Sequence, residues 1–285
     1  MEYLQLSNGV SIPTQMMGTS ICDMKGKKAE LFALLERALI YAAQTNAVGF
    51  DTARDYVNEP LLGKIFSKMY RNKIMRRENV FITTKVGNGQ QYLRNMKHEI
   101  DLSLKALKTD YIDLWLLHWP LPDYWLDNWS QMQDIYKSGK VRAIGIANCR
   151  ERHIEMLKQA HLPMPHVIQI EYHPFRTVPS FVALCRKEKI QLEAYSANCL
   201  MLPFVKENPT LNELAAKYHK TVTQIIMCWH VQQGVIPIFR SFNPAHISEN
   251  VDMHKFSLTD EDMQRIFALD RDYKFHPESL NCPGY

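Results

Sequence analysis

A chain of 285 residues with 46% hydrophobic residues is long enough to bury a large core and is close to the size of one α/β barrel. Its formal charge of +4 is small for this length and no long Lys/Arg block is present, which excludes an electrostatic nucleic-acid or membrane-surface binder as the leading class. Six cysteines, at 22, 149, 185, 199, 228 and 282, show no C-x-x-C pair and no zinc-ligand spacing, so neither a disulfide framework nor a bound metal is expected.

The first residues lack the basic start and long apolar core of a signal peptide, and no run is long enough to span a bilayer, so a soluble cytoplasmic protein is expected. Leu4-Gln5-Leu6-Ser7-Asn8-Gly9-Val10-Ser11-Ile12-Pro13 then alternates around an Asn-Gly pair, a strong hairpin signal. Short apolar runs ending in polar residues follow, alternating with amphipathic stretches. Strands are expected near residues 15–18, 48–52, 80–85, 112–118, 141–147, 167–172, 191–196 and 235–239. Helices are expected near 29–46, 58–70, 91–107, 128–138, 151–160, 178–188, 210–219 and 244–252, with extra helices at 222–233 and 259–269. The basic cluster Lys68, Arg71, Lys73, Arg76 and Arg77 reads as the solvated end of one helix and its loop.

Eight strand–helix alternations predict an α/β (β/α)8 TIM barrel, preceded by a β-hairpin and followed by extra helices near the C-terminus, with residues 1–285 as one domain. No G-x-G-x-x-G follows any strand, which argues against a Rossmann cofactor site. In such barrels the reactive groups gather at the carboxyl ends of the strands. Asp51 ends the second barrel strand with Tyr56 five residues on, Lys85 ends the third and His118 the fourth.

That grouping suggests proton chemistry on a carbonyl. A phenol with an ordinary pKa of about 10 is a weak acid at neutral pH unless a cation stands beside it. Lys85 can be that cation, Asp51 can keep it charged, and a neutral His118 can orient a carbonyl oxygen toward the Tyr56 hydroxyl. Taken singly, each has a plainer reading: a strand-end acid is often a helix cap and a loop tyrosine often only packs. Four on successive strand ends favour chemistry.

Asp51-Thr52-Ala53 with Tyr56, Ile82-Thr83-Thr84-Lys85, Leu117-His118-Trp119-Pro120 and Gly139-Lys140-Val141-Arg142-Ala143-Ile144-Gly145 resemble the aldo-keto reductases. The resemblance continues through Gln169-Ile170-Glu171-Tyr172-His173-Pro174 to Ile247-Ser248-Glu249-Asn250, covering nearly the whole chain in order. It implies an NADPH-dependent reductase of aldehydes or ketones in which Tyr56 is the general acid, Lys85 lowers its pKa, Asp51 pairs with Lys85 and His118 positions the carbonyl. Asn148 and Gln169 match positions that bind the nicotinamide carboxamide, and Tyr195, followed by Ser196, matches the aromatic that stacks on the ring.

The same resemblance assigns the adenosine end to Arg240, Ser241, His246, Glu249 and Asn250. The fork of Arg240 suits a 2′-phosphate, so NADP is expected. His246 stands where relatives that prefer NADP usually carry arginine, and a neutral imidazole holds phosphate less firmly, so some use of NAD is expected too. Ala147 replaces the serine usual before Asn148, which implies one lost carboxamide hydrogen bond.

Tryptophans usual in the family are replaced by Ser20 and Gly87, leaving Trp119 of the substrate wall. A wider pocket that favours bulky carbonyls over glyoxal-sized ones is therefore expected. Trp125 and Trp129 are expected to anchor the next helix, and the aromatic tail from Tyr273 to Tyr285 to border the site. His161, His166 and His173 match no metal-ligand spacing. One alternative is a cofactor-binding regulatory subunit, as in the family's potassium-channel β subunits, though no long N-terminal arm is present to reach a partner. A second is a specialised enzyme with another reaction. Retention of all four polar strand-end groups favours the reductase, and a monomer is expected.

Overall fold

The computed structural model describes residues 2–251 and 256–276. Its chain opens with an antiparallel hairpin, β1 (Tyr3–Gln5) and β2 (Ser11–Pro13), turned at Asn8-Gly9 with Gly9 at φ +82°. A left-handed residue at the turn is what glycine supplies without steric cost. Asn8 Nδ2 donates to Arg142 O at 3.0 Å, and Leu6 and Ile12 pack with Met16, Phe81, Leu114 and Val167, so the hairpin plugs one end of the barrel.

Eight parallel strands close that barrel: β3 (Met16–Gly18), β4 (Gly49–Asp51), β5 (Phe81–Val86), β6 (Ile112–Leu117), β7 (Val141–Ala147), β8 (Val167–Glu171), β9 (Gln191–Tyr195) and β10 (Ile236–Phe239), with β10 pairing back to β3. Every boundary falls within one residue of its predicted place. The reason is compositional: buried parallel strands read as continuous apolar runs, and each run here stops at a polar residue. At Gly49 a Cβ would meet Met16 Sδ at 2.3 Å, so the glycine lets β3 lie close against β4.

Strand alternation divides the side chains into two layers. Outward residues such as Ile82, Val86, Trp115, Leu117, Ile144, Ile146, Ile168 and Ile170 pack under the helices. Each such buried side chain is worth roughly 1.5–3 kcal/mol of burial, so this outer layer is the main source of stability. Inward residues are apolar toward the plugged end and polar toward the carboxyl ends of the strands, where Asp51, Lys85, Gln169 and Glu193 are all buried.

The helices differ from expectation in three places, one being that the helix expected from residue 128 begins at Trp125. The stretch expected as one helix over 91–107 is a short turn, Asn88–Gln91, and a helix, Met96–Leu107, because the Asn95 side chain accepts from His98 N at 3.1 Å and starts a new helix there. A short helix at Pro203–Lys206 was not foreseen. No helix of the described residues is long and apolar enough to cross a membrane.

Candidate active site

Tyr56 is placed by a loop with few free torsions. Thr19 donates twice to Asp51 O, from its amide at 3.0 Å and its hydroxyl at 2.9 Å, at the point where β4 ends. The chain then makes a 3-10 turn, Arg54–Tyr56, and passes through Val57 at φ +53° into the helix Glu59–Arg71. Asn58 pins this corner by accepting from Thr52 Oγ1 at 2.7 Å and donating to Thr19 O at 2.8 Å. Glu59, also buried, accepts from Thr84 Oγ1 at 2.7 Å and Arg54 Nη1 at 3.3 Å.

Beneath the phenol, Lys85 Nζ donates to Asp51 Oδ1 at 2.6 Å and Thr52 O at 3.0 Å, and lies 5.2 Å from the Tyr56 ring centroid. Burial alone would push the ammonium's pKa down, but Asp51 and Tyr56 outweigh it and the net direction is up, so Lys85 is charged. For Tyr56, Lys85 acts downward as expected, but the net direction is up. Burial, the largest influence, and the charge of Asp51 raise its pKa. The phenol therefore keeps its proton at neutral pH.

His118 stands edge-on to Tyr56, ring centroids 5.8 Å apart. Its backbone is fixed from both sides, His118 N donating to Val86 O at 3.0 Å and Asn148 Nδ2 donating to His118 O at 2.9 Å. Burial lowers its pKa against the opposing hydrogen bond to Asp55, so the ring is neutral. Its Nδ1 lies 2.9 Å from Asp55 Oδ2. A carboxylate partner requires the proton on Nδ1, which leaves Nε2 as an acceptor. Asp55 was missed in the sequence because it lies inside a turn with no periodic signal.

Eleven further predicted residues line the same cavity, of about 1290 Å³: Ser20, Trp119, Asn148, Gln169, Tyr195, Ser196, Arg240, Ser241, His246, Glu249 and Asn250. At the inner end the amides are already engaged. Asn148, at φ +59°, also accepts from Tyr195 OH at 2.7 Å, and Gln169 Nε2 donates to Asp51 Oδ2 at 3.0 Å and Glu193 Oε2 at 2.9 Å. The edge of His276 meets Tyr195 at 5.3 Å between centroids, and its Nε2 lies 3.3 Å from Ser196 Oγ. Phe275 and His276 thus bring the tail to the cavity, while residues 277–285 lie outside the described residues.

At the outer end, Arg240 is not a bare guanidinium. It grips Asp23 through two bonds of 2.5 and 2.7 Å and donates to Ser20 O at 2.9 Å. Ser241 Oγ accepts from Asn243 N at 3.1 Å, and Asn243 Oδ1 caps Ala245 N at 2.9 Å where the helix Pro244–Val251 begins. His246, exposed, and Glu249 and Asn250 follow on that helix. Asp23, Lys206, Thr221 and Thr223 line this end too and were not foreseen.

The expected opening of the pocket is only half present. Ser20 and Trp119 face the cavity, but Gly87 does not: a Cβ there would meet Asp55 Oδ1 at 1.9 Å and Gln90 Oε1 at 2.5 Å. Asp55 occupies the space into which a Cβ at position 87 would project. Trp119 and Leu121, with Tyr124 and Tyr195, form a separate apolar cluster at the wall. Trp125 and Trp129 are buried anchors, Trp129 Nε1 donating to Pro163 O at 3.0 Å. His166 Nδ1 accepts from Ile144 N at 3.1 Å and His173 pairs with Glu171 at 3.1 Å, both within the fold.

The donor set fits a phosphorylated dinucleotide. The cavity exceeds the roughly 300–1,000 Å³ of an ordinary small-ligand pocket, with amides and phenols at one end and a guanidinium, hydroxyls and an imidazole at the other.

Comparison with known proteins agrees with this geometry. The model of the "Aldo/keto reductase family" matches residues 17–198 and 201–271. The chain is 35% identical over 277 residues to the glyoxal reductase of Bacillus subtilis, covering 97% of this chain and 95% of that protein. It is 32% identical over 277 residues to the methylglyoxal reductase DkgA of Escherichia coli O157:H7, covering 96% of each. Among solved structures, Bombyx mori aldo-keto reductase AKR2E4 in complex with NADP superposes with a TM-score of 0.87 at 30% identity, covering 96% of this chain and 94% of that one. With a match over nearly its full length and a proton-donating site at the mouth of an eightfold barrel, the chain belongs to the aldo/keto reductase family.

Proposed function

We propose that the protein reduces aldehydes or ketones to alcohols with NADPH, and that Tyr56 is the acid that completes the reaction. The observation that carries this reading is the stack of Asp51, Lys85 and Tyr56 with a neutral His118 alongside, at the inner end of a cavity that runs out to Arg240. NADPH, when bound, supplies hydride to the carbonyl carbon. The remaining work falls to the chain. Tyr56 gives its proton to the carbonyl oxygen as negative charge develops there, and Lys85 offsets the charge left on the phenolate. Asp51 keeps Lys85 charged and aimed. With its proton on Nδ1, His118 borders the carbonyl and leaves Tyr56 as the donor.

Asn148, Gln169, Tyr195 and Ser196 border the nicotinamide end in this reading, and Arg240, Ser241, His246, Glu249 and Asn250 the adenosine end. Because Asp55 fills the place at Gly87, small carbonyls of the size named in the two bacterial relatives are the first candidates, with Ser20 leaving room for larger ones. We place the protein in the cytoplasm, where the described cysteines, 22, 149, 185, 199 and 228, as free thiols suit a reducing compartment, and propose that it acts there as a monomer.

Consumption of NADPH and of NADH against a panel from glyoxal through aromatic aldehydes to bulky ketones tests the reading. Turnover with NADPH exceeding that with NADH, highest for the smaller carbonyls, is expected. Cofactor binding without turnover of any carbonyl contradicts it.

A further inference from the structure

Below the mouth of the barrel, two carboxyl groups lie close to one ammonium. Asp51 from β4 and Glu193 from β9 are 3% and 0% exposed. They share the Gln169 amide, whose two hydrogens go to Asp51 Oδ2 at 3.0 Å and Glu193 Oε2 at 2.9 Å. Lys85 from β5 donates to Asp51 and to Thr52 O but makes no hydrogen bond to Glu193, and Glu193 Oε1 is buried with no hydrogen-bond partner. Of the other inward side chains, Met16 on β3, Leu114 and Leu116 on β6, Ala143 on β7 and Ile236 on β10 carry no charge, and Glu171, two residues beyond Gln169 on β8, is held by His173 and by the amides of Phe275 and His276. Tyr56 and His118 stand at the mouth, where Lys85 and Asp51 act on both.

One cation cannot balance two carboxylates in a dry interior, and an ionised oxygen without a donor costs more than a neutral one. Asp51 holds Lys85 and is the ionised member. Glu193, with its orphan oxygen, is the neutral one. We infer that Glu193 is a positioning residue for the reduction: as a neutral acid it fixes the Gln169 amide against Asp51, and losing its proton places a second negative charge beneath Lys85 and Tyr56. The inference rests on the proposed role of Tyr56.

Burial, and after it the charge of Asp51, push the Glu193 carboxyl up to about 8, so the proton leaves to solvent in mildly alkaline solution. The new negative charge acts on Tyr56 in the same direction as Asp51, raising its pKa and making it a weaker acid. Reduction then slows on the alkaline side for a reason that lies below the phenol.

Infrared titration of the cofactor-free protein and pH–rate profiles of NADPH-dependent reduction, each on wild type and Glu193→Gln, test this. Expected is a carboxylic-acid C=O band in wild type that disappears as pH rises through about 8 and is missing in the variant. The alkaline fall in kcat should move to higher pH in the variant, while kcat at pH 7 stays within about threefold, since the amide keeps a bond to Gln169. No titrating band in wild type, or an alkaline limb unmoved by the substitution, overturns the inference. The infrared arm decides even where no carbonyl is turned over. Glu193→Met, uncharged and of similar volume, carries the infrared measurement where Glu193→Gln does not fold.

Discussion

Arg240 meets any cofactor already partnered. Its side chain is 30% exposed and its fork is filled by Asp23, whose carboxyl the guanidinium beside it holds below the usual range. A 2′-phosphate arriving at that fork must compete with Asp23 for the same donors, whereas a bare ribose need not. Asp23→Asn should therefore tighten NADPH binding, by about fivefold at most because half-exposed ion pairs are worth ~1 kcal/mol or less, and leave NADH nearly unchanged. Isothermal titration with both cofactors reads this directly. Equal gains for both would show that Asp23 opposes the dinucleotide as a whole. Arg240 is expected from the sequence to face a phosphate, but Asp23 beside it is not foreseen, because 217 residues separate the partners and its loop has no pattern.

At the scale of elements, two backbone amides of the tail are held to the barrel by one carboxylate. Glu171, at the end of β8, accepts from Phe275 N at 2.6 Å, from His276 N at 2.9 Å, and pairs with His173. Burial would raise its pKa, but those three partners together hold it below the ordinary glutamate value of 4.5. A depressed folded pKa means stabilisation that is present above the unfolded pKa and lost as pH falls through the folded one. The tail is thus anchored at neutral pH and loosened in acid. Glu171→Ala should release both amides at neutral pH, raising their hydrogen exchange by about tenfold or more, as for loss of charge-assisted bonds. Unchanged protection at Phe275 and His276 would show that packing alone holds the tail.

The barrel strands are legible because buried parallel strands leave an unmistakable pattern, apolar runs closed by Asp51, Lys85, His118 or Asn148. Elements set by a single side chain are not. The break between the helices at residues 91 and 96 depends on one capping asparagine, and the helix Pro203–Lys206 is too short to have a period. Tail contacts with the rim follow from Glu171, which reads in the sequence only as part of a motif.

Over the whole molecule, polarity changes along the barrel axis. The plugged end is apolar inside, Leu6, Ile12, Phe81 and Leu114 among others, and the open end holds the ion pair, the shared amide and the phenol. Asp51, Tyr56, Lys85 and His118 were readable because each lies at or just beyond the carboxyl end of a strand. The balance among them was not, since the upward pKa of Tyr56 comes from burial, a property of the assembled barrel. Glu193 escaped notice for the same reason: one acid inside a short strand means nothing until the fold shows which cation it lacks.

The measurement that tests the account most directly compares wild type with Tyr56→Phe in two readings, steady-state reduction of an aldehyde and NADPH affinity by quenching of tryptophan fluorescence. Loss of at least about 100-fold in kcat with an unchanged Kd is predicted, since the variant keeps the cavity and removes only the proton that completes the reaction. Turnover within tenfold of wild type would contradict the assignment of Tyr56 as the acid and with it the mechanism built on Lys85 and Asp51.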